Sequence, residues 1–189
     1  MSTTSTIAVE KVKLKKPPLE VHHLGDRVLR QPAKRVAKVD EEVRDIARKM
    51  LQTMYSENGI GLAAPQVGIH KQIIVVDIEP DDPKQPPMVL INPAIKRVSQ
   101  DVCREQEGCL SVPGVYMDVD RPEAIEVTFK DEFGRLQTLQ TDGLLARVIQ
   151  HEIDHLNGVL FVDRVDNQLV LGQELTKKGF SAKAVKPVA

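Results

Sequence analysis

Hydrophobic and polar residues follow a helical period in two parts of the chain. Between positions 43 and 54, apolar side chains recur every three or four residues, which predicts an amphipathic helix that ends near Asn58. Asp40 is a suitable N-cap, and two glutamates follow it where the helix dipole favours negative charge. A second helix is predicted to begin after Thr141 or Asp142 and to end at Asn157.

The remaining apolar residues occur in short runs or alternate with polar ones, which is typical of strands. Strands are predicted at residues 72–78, 89–93, 115–119, 125–129 and 136–139. Turn-forming residues between the later strands indicate antiparallel hairpins. We therefore expect an α+β fold in which short, mostly antiparallel strands pack around one buried helix, with a second helix near the N-terminus.

The two ends of the chain differ from its middle. Residues 1–20 carry several lysines ahead of two prolines, and we expect a disordered N-terminal tail there. After Phe161 the clear periodicity is lost, and four lysines make residues 167–189 a C-terminal basic extension. Residues 21–166 are the expected single folded domain.

Composition excludes several classes of protein. The 26 basic and 27 acidic side chains nearly cancel, so there is no overall field for DNA or for an anionic membrane. No apolar run approaches the length of a membrane span, and no secretory signal follows the first residues. Two cysteines are too few for a disulfide scaffold, which indicates a reducing compartment.

The second helix carries the sequence His-Glu-Ile-Asp-His. His151 and His155 are one helical turn apart, so both imidazoles leave the same face at a spacing that suits one divalent cation. Glu152 lies about 100° around the axis, where it can act as a general base on a water activated by that cation. Arg147 shares the histidine face, and its guanidinium is expected to reach water or an acid.

The third metal ligand stays open on spacing alone. A third histidine is excluded, because Phe161 occupies the position that the longer His-x-x-Gly-x-x-His pattern requires. Glu174, nineteen residues after His155, would complete a zinc metallopeptidase site. Cys109 is the other candidate, and its setting between Gly108 and a Pro-Gly turn favours it. A closed structural metal site in a ribosome-binding module is the non-enzymatic alternative.

Two further segments are rich in small and turn-forming residues. The letters GIGLAAPQVG at residues 59–68 fit no phosphate-binding loop, because a strand follows the glycines where a helix would be needed. Such a density of small residues indicates a backbone that another group approaches closely. The second segment, residues 107–114, surrounds Cys109. The other cysteine, Cys103, lacks this setting and is interpreted as an ordinary small side chain.

Three motifs together resemble the peptide deformylase family. They are GIGLAAPQ at residues 59–66, EGCLS at residues 107–111 and QHEIDH at residues 150–155. They occur in the order that the family has, and the resemblance covers about residues 20–165. The combination is far more specific than any one of the motifs.

The resemblance implies an activity and a set of site residues. Such an enzyme removes the formyl group from the N-terminal formyl-methionine of new polypeptides and releases formate. It implies one divalent metal, usually Fe2+ with Zn2+, Ni2+ or Co2+ as substitutes. The implied metal ligands are Cys109, His151 and His155, and the implied catalytic groups are Glu152, the Gln66 side chain and the Leu110 backbone N–H.

The resemblance also indicates how substrate would be held. Ile60, Gly61 and Gly108 would lie along the peptide backbone, which would add to the sheet as a strand. Leu144 and Val148 share the His151 face of the helix and would line a slot for methionine. The implied partners are formyl-methionyl peptides and, transiently, nascent chains at the ribosome. We expect a monomer in a bacterial cytoplasm, or alternatively in an organelle stroma or matrix.

Overall fold

Three α-helices, seven strands and four short 3-10 helices make up the regular structure of residues 7–188, the part of the chain that the computed structural model describes. The helices are α1 Glu41–Ser56, α2 Gly143–Leu156 and α3 Gln168–Lys177. The strands are β1 Gly61–Ala63, β2 Ile73–Val76, β3 Met88–Val98, β4 Val102–Cys109, β5 Val112–Pro122, β6 Ala124–Lys130 and β7 Leu136–Asp142. The predicted α+β class is confirmed.

Helix α1 has the start that its sequence predicts. The Asp40 side chain accepts a hydrogen bond from the Val43 N–H at 3.1 Å, which satisfies one of the free donors of the first turn. The apolar stripe of the helix, including Met50, Leu51 and Met54, is fully buried. Tertiary packing of that stripe stabilises the helix more than its local propensity does.

A five-stranded antiparallel sheet in the order β1-β2-β3-β6-β7 separates the two longer helices. All four residues of β2 are buried, because both faces of this strand are covered. Ile73 and Val75 pack in the same apolar cluster as α1, whereas Ile74 and Val76 pack with α2. The period-two geometry of the strand thus places α1 and α2 on opposite faces of the sheet.

Strands β4 and β5 form a separate two-stranded hairpin. The alternation from residue 115 onward predicts β5, but the pattern does not predict its partner β4, because only one of the eight β4 residues, Glu107, is buried. The pairing of Cys109 with Val112 closes the hairpin. Cys109 therefore lies at the last position of β4, beside the turn.

Helix α2 is the buried helix of the fold. Ten of its fourteen residues are buried, and it contacts β1, β2, β5 and β6. Asp142 occupies the N-cap position, as predicted, although its side chain makes no capping hydrogen bond. Both histidines and the glutamate of the motif are consequently held inside the molecule.

The N-terminal segment differs from its prediction. Residues 7–20 form no helix or strand, yet they pack on the domain instead of extending from it as a disordered tail. Ile7 is buried in the α1 cluster, and the Lys11 ammonium pairs with the buried Asp77 carboxylate at 2.6 Å. The composition of residues 1–20 does not predict the contacts of Ile7 and Lys11, because each contact is made with residues far away in the sequence. Residues 1–6 lie outside the described part of the chain.

The C-terminal extension contains a helix that periodicity did not predict. Leu171 and Leu175 of α3 are buried against β5 and the turn that follows α2, while most of the helix is exposed. Asp163 is buried and accepts two hydrogen bonds from the Arg30 guanidinium.

Along residues 7–188, the helices are too short or too polar to cross a lipid bilayer.

Candidate metal centre and active site

Three side chains from two elements converge at the surface of α2. Among residues 7–188, Cys109, His151 and His155 form the one group of three potential ligands, with all their ligand atoms within 4.8 Å of one another. The Cys109 sulfur lies 3.4 Å from His155 Nε2. One thiol and two imidazoles suit a tetrahedral transition-metal site and leave a fourth position for another ligand.

The local charges fit a cation at this point. Although burial alone would lower the pKa of His151, hydrogen bonds with Cys109 and Glu107 raise it well above the ordinary value. The groups around His151 therefore stabilise positive charge. Burial lowers the pKa of His155, so that ring is neutral and offers a lone pair. The donor set thus fits a divalent metal.

Glu107 holds His151 in place. Its carboxylate accepts a hydrogen bond from His151 Nδ1 at 2.9 Å, which leaves Nε2 as the nitrogen for a metal. Burial would raise the pKa of Glu107, but its bonds to His151 and Arg121 lower that pKa well below the ordinary value. The carboxylate is therefore ionised, as an acceptor in this position must be.

Two buried arginines complete this arrangement. Arg121 donates to both carboxylate oxygens of Glu107 and also to Asp154 on α2. Arg147 donates to Glu107 and to the backbone carbonyls of Val119 and Cys103. The prediction that the Arg147 guanidinium reaches water or an acid is confirmed, since it contacts the Glu107 carboxylate. These charged groups also connect the β4–β5 hairpin to α2.

Glu152 lies beside the three potential ligands in a buried position. A Cβ atom added at Gly61 would lie 2.5 Å from its Oε1, so only glycine leaves room for this carboxylate. Burial raises the pKa of Glu152 to about 7, although the neighbouring charge of His151 opposes the shift. Glu152 Oε2 and His155 Nδ1 have no hydrogen-bond partner among residues 7–188.

Gln66 lies directly against the sulfur of the cluster. Its carbonyl oxygen accepts from the Ala63 N–H at 2.9 Å, and its amide donates to Ser111 Oγ at 3.0 Å and to Cys109 Sγ at 3.5 Å. The first contact fixes the orientation of the amide, so the N–H donors face the cluster. Leu110 follows Cys109 in the turn, which brings its backbone close to the same place.

One cleft of about 1190 Å³ contains the predicted substrate-binding residues. Its lining includes Ile60, Gly61, Gly108, Leu144 and Val148 together with Gln66, Cys109, His151 and Glu152. Sequence reasoning and the structure thus place these residues around a common space.

Glu174, the alternative third ligand, lies elsewhere. It is on α3, where its carboxylate pairs with the Lys177 ammonium at 2.7 Å, and it does not line the cleft. Cys103 is a free, half-buried thiol on β4, 3.4 Å from a carboxylate oxygen of Glu105. Neither residue belongs to the cluster.

Sequence reasoning missed the roles of Glu107, Arg121 and Asp154. A signal was present, because Val115 and Val119 face inward on β5 and Arg121 continues the same alternation. A charged residue at an inward position requires a buried partner. Asp154 likewise lies three residues after His151 on the same side of α2.

Cys109 at the end of β4 and the two histidines of the HExxH motif on α2 form a site of the kind that metal-dependent hydrolases use. The family model for polypeptide deformylase matches residues 18–169. The chain therefore belongs to the peptide deformylase family.

Similar proteins cover almost the whole chain. The peptide deformylase of Microchaete diplosiphon is 71% identical over 98% of this chain and 99% of its own length. That of Synechocystis is 67% identical over 98% of this chain and 100% of its own length. A crystal structure of a peptide deformylase from Synechococcus elongatus in complex with actinonin has a TM-score of 0.94 and 65% identity, with 96% of this chain and 100% of that chain covered.

Proposed function

We propose that this protein removes the N-terminal formyl group from formyl-methionyl peptides, with a divalent metal held by Cys109, His151 and His155. Removal of the formyl group from nascent peptides is the known function of the family. The observation that carries the proposal here is the buried carboxylate of Glu152 beside three convergent ligands. Fe2+ is the proposed native metal, and Zn2+, Ni2+ or Co2+ could replace it.

Hydrolysis of the formyl amide requires activation of a water molecule and transfer of a proton to the leaving nitrogen. A divalent cation held there would lower the pKa of a water and polarise the formyl oxygen. Glu152 accepts a proton as the water adds to the formyl carbon, and it returns that proton to the nitrogen as the C–N bond breaks. The products are formate and a free amino terminus.

Negative charge on the formyl oxygen needs donors that are already oriented. The Gln66 amide and the Leu110 backbone N–H are the proposed donors, because both lie next to Cys109. The bond from the Ala63 N–H supports this role for Gln66, since it holds the amide in place before substrate arrives. One donor of this kind is typically worth about 3 kcal/mol of the barrier.

The peptide is proposed to bind along β1. This strand is at the edge of the five-stranded sheet, and Ile60 and Gly61 line the cleft. An extended peptide can therefore add its backbone to the sheet, with Gly108 on the opposite side. Leu144 and Val148 supply apolar surface for the methionine side chain, and Val148 lies close to the Gly61 backbone.

The setting of the reaction follows from its substrate. We propose that formylated nascent chains are met transiently at the ribosome, and that the protein acts as a monomer. Cyanobacterial relatives support a bacterial cytoplasm as its compartment.

Formate release from a formyl-Met tripeptide tests the proposal. Protein purified without oxygen and loaded with Fe2+ or Ni2+ should release formate, whereas Glu152→Ala should reduce kcat by a factor of about 1000 or more. Glu57→Ala is the matched control, since Glu57 is an exposed glutamate that also lines the cleft. Absence of formate with both metals, or a fully active Glu152→Ala protein, would refute the proposed function.

A further inference from the structure

Residues 22–26 connect two segments of the site that are far apart in the sequence. The His22 N–H donates to the backbone carbonyl of Gln66 at 2.8 Å, and the Leu24 N–H donates to the backbone carbonyl of Ser111 at 2.8 Å. The side chains of these two acceptor residues also meet, since the Gln66 amide donates to Ser111 Oγ at 3.0 Å. Residues 22–26, the clamp, therefore join the backbones of two segments whose side chains are in contact.

The side chains of the clamp hold its shape. His22 Nδ1 is hydrogen-bonded to Asp26 Oδ2 at 2.7 Å, and the Asp26 N–H donates to the His23 carbonyl at 3.0 Å. The other carboxylate oxygen of Asp26 accepts from the Val28 N–H at 3.0 Å and caps the short 3-10 helix that follows. Asp26 thus links His22 to that helix.

The 3-10 helix, Arg27–Arg30, is itself fixed to the interior of the protein. The Leu29 side chain is buried. The Arg30 guanidinium donates to the Gly158 carbonyl at 3.0 Å and to the buried Asp163 carboxylate. The clamp is therefore attached to a fixed part of the fold, although the His22 and Asp26 side chains are partly exposed.

The His22 ring also packs against the turn that follows Gln66. Gln66 lies in the short 3-10 helix Ala64–Val67, which ends at Gly68 with a φ of 77°. A Cβ atom added at Gly68 would lie 3.2 Å from His22 Nε2, so the ring is in close contact with the backbone of this turn. His22 thus contacts the segment that carries Gln66 at two points, through its N–H and through its ring.

We propose that His22 and Asp26 are positioning residues that keep the Gln66 amide oriented toward the formyl oxygen. The inference rests on the proposed function, in which that amide stabilises negative charge. Bonds to the Ala63 N–H and Ser111 Oγ orient the Gln66 side chain, but they act correctly only if the backbones of both segments are held in register. Neither His22 nor Asp26 lines the cleft, so their effect on the reaction passes through Gln66.

Steady-state formate release from a formyl-Met tripeptide tests the proposal in Ni2+-loaded protein. His22→Ala and Asp26→Ala should each lower kcat about fivefold and leave KM within about twofold, because the amide acts on charge that develops during the reaction. In Gln66→Leu protein, the added change His22→Ala should lower kcat no further, since the group that it positions is absent. Asp40→Ala is the matched control for Asp26→Ala, because Asp40 also caps a helix but lies away from the clamp. Its kcat should stay near that of the wild-type protein.

Three kinetic results would overturn the proposal. The first is an equal fractional loss of kcat from His22→Ala in the wild-type and Gln66→Leu backgrounds, which is what a merely structural role produces. The second is a wild-type kcat in both His22→Ala and Asp26→Ala. The third is the same loss in Asp40→Ala as in Asp26→Ala. Failure of the wild-type protein to release formate would instead overturn the proposed function.

Amide hydrogen exchange tests the clamp without turnover. In Zn2+-loaded wild-type protein, the His22 and Leu24 N–H groups should be protected, because both donate to backbone carbonyls of the site segments. In Asp26→Ala, NMR should show both groups exchanging at least about threefold faster, whereas Asp40→Ala should leave their rates unchanged. Unchanged rates in Asp26→Ala would contradict the proposal, since the side chains would then not hold the clamp in place.

Discussion

Glu107 accepts a hydrogen bond from His151 Nδ1 at 2.9 Å, and it does so while fully ionised inside the protein. This contact joins the β4–β5 hairpin to the face of α2 that carries His151 and His155. Two arginines bind the same carboxylate, so its position is fixed from three sides. The orientation of one proposed metal ligand therefore depends on residues that do not themselves bind the metal.

Glu107→Gln should weaken metal binding by about 10- to 100-fold, because the amide is a weaker acceptor for His151 and can turn its N–H groups toward the ring. Competition with a chromophoric chelator measures this affinity directly. Glu105→Gln is the control, since Glu105 is an exposed glutamate on the same strand. Unchanged affinity in Glu107→Gln would show that the contact does not orient the ligand.

Gln66→Leu should lower kcat by about 100-fold or more and leave KM nearly unchanged, because the amide is proposed to act on charge that develops during the reaction. Steady-state formate release gives both constants. Gln72→Leu removes another amide side chain, one that bonds a backbone carbonyl outside the cleft, and should leave kcat near that of the wild-type protein. A rise in KM with kcat unchanged would assign Gln66 to ground-state binding.

Arg121→Met should destabilise the protein by about 3 kcal/mol. It leaves Glu107 and Asp154 buried with fewer partners, and such uncompensated charge is costly. Equilibrium unfolding in urea measures the change in free energy. Arg104→Met is the matched control, because Arg104 pairs with Asp120 and Asp166 at the exposed surface and should cost at most about 1 kcal/mol. Equal losses in both variants would contradict this reasoning.

The parts of the fold that sequence predicted are those with a strong local pattern. Helix α1 and strand β5 each present a continuous apolar stripe to the core. The spacing of apolar residues along their sequences therefore identifies both elements. Strand β4 buries only Glu107, and α3 buries only Leu171 and Leu175. With so little apolar surface facing inward, neither element had a period that could be detected.

The site residues, like the elements of the fold, could be predicted only where a local sequence pattern identifies them. The spacing of His151 and His155 within one helix predicts a pair of ligands, because helix geometry fixes their relation. The approach of Cys109 depends on how a distant hairpin packs on α2, and no local pattern encodes that packing. The setting of Cys109 between Gly108 and a Pro-Gly turn favoured it as the third ligand, and the motif resemblance implied it; its role as a metal ligand stays a prediction. The ion pair of Lys11 and Asp77 is likewise a long-range contact, and the charged tail gave no sign of it.

Asp131 should make stability depend on acidic pH. Its carboxylate lies in the turn between β6 and β7, where it accepts hydrogen bonds from the backbone N–H groups of Phe133 and Arg135 and from the Arg135 side chain. Burial would raise the pKa of Asp131, but these hydrogen bonds lower it below the ordinary value of 3.8. The carboxylate therefore stabilises the fold above about that pH, and the stabilisation is lost as the pH falls through the lower, folded-state pKa.

Asp131→Asn should cost about 2 kcal/mol at pH 7, and the difference from the wild-type protein should shrink steadily below pH 4. Urea unfolding across pH 2–7 measures this, with Asp118→Asn as an exposed control that should show no such trend. A difference between Asp131→Asn and wild type that stays constant over the whole range would mean that the charge of Asp131 does not contribute.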